Sequence, residues 1–116
     1  MNNAAAVKIF ASLAQESRLS LFRLLVEAGQ EGLAAGIIAE RLGLPASTLS
    51  FHLKELAHAG VVQSRQAGRF IYYSAAFDTV DALIQFMLEN CCGGQEQCIP
   101  HTICLEFPPS HCSKVK

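Results

Sequence analysis

After Gly60 the hydrophobic period of this chain changes. Before it, "ASTLSFHLKELAHA" places Leu49, Leu53 and Leu56 at i, i+4 and i+7, the spacing of one helix face. After it, "VVQSRQAGRFIYYSA" follows a period of two, with Ala67-Gly68 between two β-prone arms. A helix that stops at a glycine and runs into a β-hairpin rules out a pure helical bundle and a parallel α/β sheet alike. The hairpin is single and the remaining patterns are helical, so the chain is expected to be mostly α with one small β element.

The other helices follow from the same reading. Residues 4–14 carry Val7, Phe10, Ala11 and Ala14 on one face. Residues 16–28 repeat Leu21, Leu24, Leu25 and Ala28, with Gly29 as a stop. Residues 34–42, "AAGIIAERL", form a short helix closed by Gly43, and Pro45 suits the first turn of the helix that follows. Residues 79–90 carry Val80, Leu83, Ile84, Met87 and Leu88. The stretch 93–116, rich in Gly, Pro, Cys and His, has no period. This divides the chain into a folded part, residues 1–90, and a cysteine-rich tail, residues 91–116.

Helix, short turn, helix and basic hairpin in that order make a winged helix-turn-helix. Its second helix enters the major groove, where small polar side chains let the backbone approach base edges. Opposite the leucines lie Ser47, Thr48, Ser50, Phe51, His52 and Lys54. The serines, Thr48 and His52 suit base edges, and the Phe51 ring suits a thymine methyl group. Lys54 and the hairpin residues Arg65 and Arg69 suit phosphates. Each residue also has a plainer reading. Ser47 could be a cap, Phe51 core, His52 a buried and hydrogen-bonded histidine, and the arginines a solvated hairpin. Charge favours the DNA reading. The formal net charge is −1, yet between residues 41 and 73 Arg41, Lys54, Arg65 and Arg69 meet only Glu55. From residue 74 on, acidic residues outnumber Lys114 and Lys116. A basic middle of this kind suits a polyanion.

The segment "STLSFHLKELAHAGVVQSRQAGRFIYYS", with "LAQESRLSLFRLL" upstream, resembles the ArsR/SmtB family of metal-responsive repressors. The resemblance covers residues 7–90. It implies a homodimeric winged helix-turn-helix that binds double-stranded, palindromic operator DNA and leaves it when an inducer binds. It also implies a dimer interface built by the first and last helices, where the stripes 7–14 and 80–88 lie.

The family's sensor sites occupy different elements. A cysteine cluster in the first helix of the helix-turn-helix is absent, since "AAGIIAERL" holds no cysteine. A carboxylate and histidine zinc site on the last helix is not expected, because residues 76–90 contain no histidine. There remains "ENCCGGQEQC". Cys91, Cys92 and Cys98 form a thiolate trio, and soft thiolates select thiophilic ions. Trivalent arsenic or antimony takes three ligands and keeps a lone pair, whereas zinc generally takes four. Gly93-Gly94 is expected to let the chain turn so that the sulfurs converge. A helix C-terminus disfavours thiolates, so capture of As(III) should release protons. The C-C-x₅-C spacing is similar to the C-terminal site of a subgroup of arsenic-responsive members. That resemblance implies As(III) as inducer, whether arsenite or methylarsenite, with Sb(III) as a further candidate.

Other readings of the tail stay open. It could be incidental, Cys91 could be an apolar residue of the last helix, or the thiols could form a redox switch. His101, Cys104, His111 and Cys112 could complete a zinc or cadmium site. An enzyme is not expected, since thiols at a helix C-terminus make poor low-pKa nucleophiles. The five cysteines, with no apolar run near the ~20 residues that span a bilayer, lead to the expectation of a reducing, cytoplasmic setting and no membrane partner.

Overall fold

Asn2 opens the first helix by accepting a hydrogen bond from the Ala5 amide on its side-chain oxygen, at 2.9 Å. The structure, a computed structural model, describes residues 1–90. Five helices and three short strands follow one another: α1 (Asn3–Leu13), α2 (Glu16–Ala28), β1 (Leu33–Ala34), α3 (Ala35–Leu42), α4 (Ala46–Ala59), β2 (Val62–Ala67), β3 (Phe70–Ala75) and α5 (Phe77–Met87). The chain divides into two compact units, Met1–Val80 and Asp81–Lys116.

In the first unit the core is built where the helical spacing put it. Leu21 and Leu25 of α2, Ile38 of α3 and Leu49, Leu53 and Leu56 of α4 are buried, and Val61, Val62 and Ala75 close it from the sheet side. Helix α1 packs on α4, and α2 packs on β3. Burying side chains of this size contributes about 1.5–3 kcal/mol each, which orders α3 and α4 relative to each other.

Helix α1 turns out to be apolar on two sides. Its inward residues are Ala6, Ile9 and Ser12, with Ser12 donating to the Ile9 carbonyl at 2.7 Å. Val7, Phe10, Ala11 and Ala14 lie on its exposed side.

The hairpin is part of a three-stranded antiparallel sheet of order β1-β3-β2. Ala67 pairs with Phe70, so the two-residue loop is Gly68-Arg69, one position later than the Ala67-Gly68 expected from the sequence. That register puts Arg69 at the tip. The extra strand β1 pairs Leu33 with Tyr73 and Ala34 with Tyr72. Gly32 makes this pairing possible. It has φ +74°, and a Cβ there would overlap the Tyr73 carbonyl.

Pro45 is the N-cap of α4 rather than a residue of its first turn. Helix α5 starts at Phe77 and ends at Met87, earlier than the expected residue 90. Its described turn runs on to Asn90, which adopts φ 59°. Asn tolerates this left-handed conformation better than most residues. The chain therefore leaves α5 before Cys91, and Gly93-Gly94, where a turn was expected, lie outside the described residues.

Candidate nucleic-acid interface

Helices α3 and α4, joined through Gly43, Leu44 and Pro45, form the helix-turn-helix. The short turn follows from the Leu44 amide donating back to the Ala39 carbonyl at 3.1 Å. The core leucines fix the roll of α4, and that decides which side chains point out. Ser47, Ser50, Phe51, Lys54 and His58 are exposed along one stripe, and Thr48 beside them is half-buried. Among the described residues no side chain caps α4, so Ser47 is not its cap. The hydroxyls of Ser47, Thr48 and Ser50 thus remain able to bond to a partner. Phe51 is 55% exposed, which removes the core reading of that ring.

His52 is the correction. It was expected among the outward polar residues, but the alternative of a buried and hydrogen-bonded histidine holds: it is 5% exposed and points inward with Leu49, Leu53 and Leu56. Two turns of helix cannot present every position of the 47–54 run outward. The leucine stripe at 49, 53 and 56 draws position 52 in with it. There Nδ1 accepts a hydrogen bond from Arg18 Nε at 3.2 Å. Burial first, and the Arg18 charge second, hold the imidazole pKa below its ordinary value, so the ring is neutral and can accept.

Arg18 is the residue that sequence reasoning missed. It stands on α2, and its Cζ lies 5.5 Å from the centroid of the Phe51 ring. Phe51 and His52 complete the group, with ring centroids 5.9 Å apart and planes tilted by 56°. Helical spacing could not reveal a pairing across 34 positions. His58 was missed too, but the recurrence 47, 51, 54, 58 could have found it.

The wing holds its two arginines differently. Arg69 is exposed in the loop. Arg65 is exposed as well, yet its Nη2 donates to the Glu31 carbonyl at 3.1 Å and its Cζ lies 4.8 Å over the Tyr72 ring. Arg65 thereby links the wing to the turn before β1. Phe70 and Ile71 near the tip are exposed, at 59% and 46%.

No three His, Cys, Asp or Glu side chains converge as metal ligands among the described residues. The expected inducer ligands Cys91, Cys92 and Cys98 lie outside the described residues, as do His101, Cys104, His111 and Cys112. Among the described residues no helix is long and apolar enough to cross a membrane.

Residues 13–65 match a family described as a helix-turn-helix domain. The HTH-type transcriptional regulator YceK of Bacillus subtilis is 35% identical over 83 residues, covering 72% of this chain and 82% of the relative. An ArsR-like transcriptional regulator from Rhodococcus sp. RHA1 superposes with a TM-score of 0.64 at 30% identity, covering 75% of this chain and 78% of that one. This chain belongs to the ArsR/SmtB family. The winged helix-turn-helix described above is the DNA-binding fold of these transcriptional regulators. A homodimeric winged helix-turn-helix DNA-binding domain from Mycobacterium bovis, described as a possible ArsR-family regulator, has the same architecture. Its TM-score is 0.60 at 29% identity, covering 75% of this chain and 81% of that domain. In this fold α4 is the second helix of the helix-turn-helix and the β2–β3 hairpin is its wing.

Proposed function

We propose that this chain is a homodimeric repressor that binds operator DNA and leaves it when trivalent arsenic binds Cys91, Cys92 and Cys98. The observation that carries the DNA reading is the exposed stripe of α4. Ser47, Ser50, Phe51 and Lys54 share one side, with Arg69 exposed on the adjoining wing. Hydroxyls for base edges, a ring for thymine methyls and cations for phosphates are what a major-groove helix needs. A second copy supplies the second half-site, about one DNA turn or ~34 Å away.

Support for the inducer comes from the chain's own C-C-x₅-C spacing and from the chemistry of three thiolates. Cys91 stands four positions after Met87, the last residue of α5, so capture of the ion by these thiols would bear on the end of that helix. A coupling of about 1–3 kcal/mol between inducer and DNA lowers operator affinity roughly 5- to 150-fold, enough for a switch.

The test is a titration of the reduced, full-length protein with arsenite while the anisotropy of labelled operator DNA is followed. Release near one arsenic per subunit is expected. Cys91→Ser, Cys92→Ser and Cys98→Ser should each bind DNA as before and fail to release it. Release of the Cys91→Ser protein by arsenite would sink the ligand assignment. Release of wild type by peroxide or cadmium, and not by arsenite, would move the function to redox or divalent-metal sensing.

A further inference from the structure

Arg18 lies on α2, outside the helix-turn-helix, but its guanidinium touches the helix that faces DNA. Its Nε donates to buried His52 at 3.2 Å, and its Cζ sits 5.5 Å from the Phe51 ring centroid. His52 flanks the same ring at 5.9 Å. Among the described residues these are the two ring contacts of Phe51. An exposed phenylalanine without such neighbours would sample its rotamers and lose that freedom on binding. Here a cation and an imidazole, the imidazole itself fixed in the core, limit where the ring can go.

A fixed apolar ring on a major-groove helix has one good partner at the base edges, the 5-methyl group of thymine. We propose that Arg18 is a positioning residue for DNA readout: it holds Phe51 against thymine methyl groups, so selectivity for thymine depends on a side chain outside the helix-turn-helix. This rests on α4 being the DNA-reading helix and names what one of its side chains reads. Arginine suits the role better than lysine. Its planar fork can donate through Nε to His52 while the guanidinium lies by the Phe51 ring, and an ammonium has no such geometry.

Uracil removes the 5-methyl and keeps the pairing, so it isolates the contact. An operator is first selected from random-sequence duplexes by the full-length wild-type protein. It is then made with thymine or with uracil throughout the footprint. Wild type is expected to bind the thymine operator about fourfold more tightly for each contacted methyl. Phe51→Ala should abolish that preference. Arg18→Ala and Arg18→Lys should bring it to about twofold or less, with the lysine variant retaining charge and bulk if the alanine variant does not fold. A wild type that binds its selected operator but does not distinguish thymine from uracil overturns the inference and leaves the DNA-reading assignment standing. A wild type that binds no duplex overturns that assignment. Folded Arg18 variants that weaken both operators equally, with the thymine preference intact, reduce Arg18 to a structural or phosphate-contacting residue and also overturn it.

Discussion

Two positions where single atoms matter give the sharpest tests. Gly32 and Gly68 both have positive φ, +74° and +64°, but their surroundings differ. Around Gly68 a Cβ would meet nothing, so Gly68→Ala should cost only the backbone strain, about 1–2 kcal/mol. At Gly32 a Cβ overlaps the Tyr73 carbonyl, so Gly32→Ala adds displacement of β1 from β3. Urea unfolding should show the larger loss for Gly32→Ala, and equal losses would contradict the close approach. His52 makes a prediction in pH. Its folded pKa lies below the ordinary value of about 6.5, because burial and then Arg18 disfavour the charged ring. On acidification the unfolded chain therefore takes up the proton first. The neutral ring's contribution is complete above pH ~6.5, is lost as pH falls below that, and levels off once the folded ring is protonated. His52→Asn keeps an acceptor for Arg18 and has nothing to titrate. The difference in stability between wild type and this variant should narrow or reverse in favour of the variant as pH falls through that window. A difference independent of pH would mean that His52 is not held neutral by its surroundings.

At the level of elements, the wing separates two arginines that look alike in sequence. Arg69 occupies the loop, while Arg65 bonds the Glu31 carbonyl and covers Tyr72. Each phosphate contact contributes about 0.9 to the slope of log K against log salt. With one wing per protomer of the proposed dimer, Arg69→Ala should lower that slope by about two and leave the melting temperature nearly unchanged. Arg65→Ala should act mainly on stability, by about 1 kcal/mol, since it loses an exposed hydrogen bond and a ring contact. Salt titrations showing the same slope change for both would refute the distinction. The contrast also explains what was legible in the sequence. Helices, the hairpin and the leucines of the core follow from local spacing, and so did the exposed side of α4 apart from buried His52 and half-buried Thr48. What was not legible depends on partners far along the chain. The Arg18–His52 and Arg65–Glu31 bonds each span 34 positions, and β1 exists only because β3 arrives beside it. The inward turn of His52 was legible, since position 52 lies three after Leu49 and four before Leu56, and only its partner Arg18 was not. The early end of α5 at Met87 was hidden because Leu88 continues its apolar spacing and no glycine or proline marks the turn over residues 88–90.

For the whole molecule, the outward side of α1 raises the question of what covers it. Val7 is 63% and Phe10 46% exposed, and Ala11 and Ala14 continue the same stripe. Helix α1 cannot turn this side inward without exposing Ile9, which is 1% exposed. A second copy is the occupant that the proposed dimer supplies. Around a two-fold axis each residue of the stripe enters the interface twice. Covering the remaining exposed part of Phe10 on both protomers is worth about 1.5–3 kcal/mol, a factor of about 10 to 150 in the dimer dissociation constant. Phe10→Glu removes that contribution and places like charges near each other, so the protein should sediment as a monomer at concentrations where wild type is dimeric. Its circular dichroism should stay that of wild type, because Ala6, Ile9 and Ser12 still seat the helix. Operator affinity should fall with the dimer, since two half-sites must then be bound by two independent monomers. If the variant still sediments as a dimer and still binds the operator at wild-type affinity, the two copies meet elsewhere and the exposed stripe of α1 is not the dimer surface.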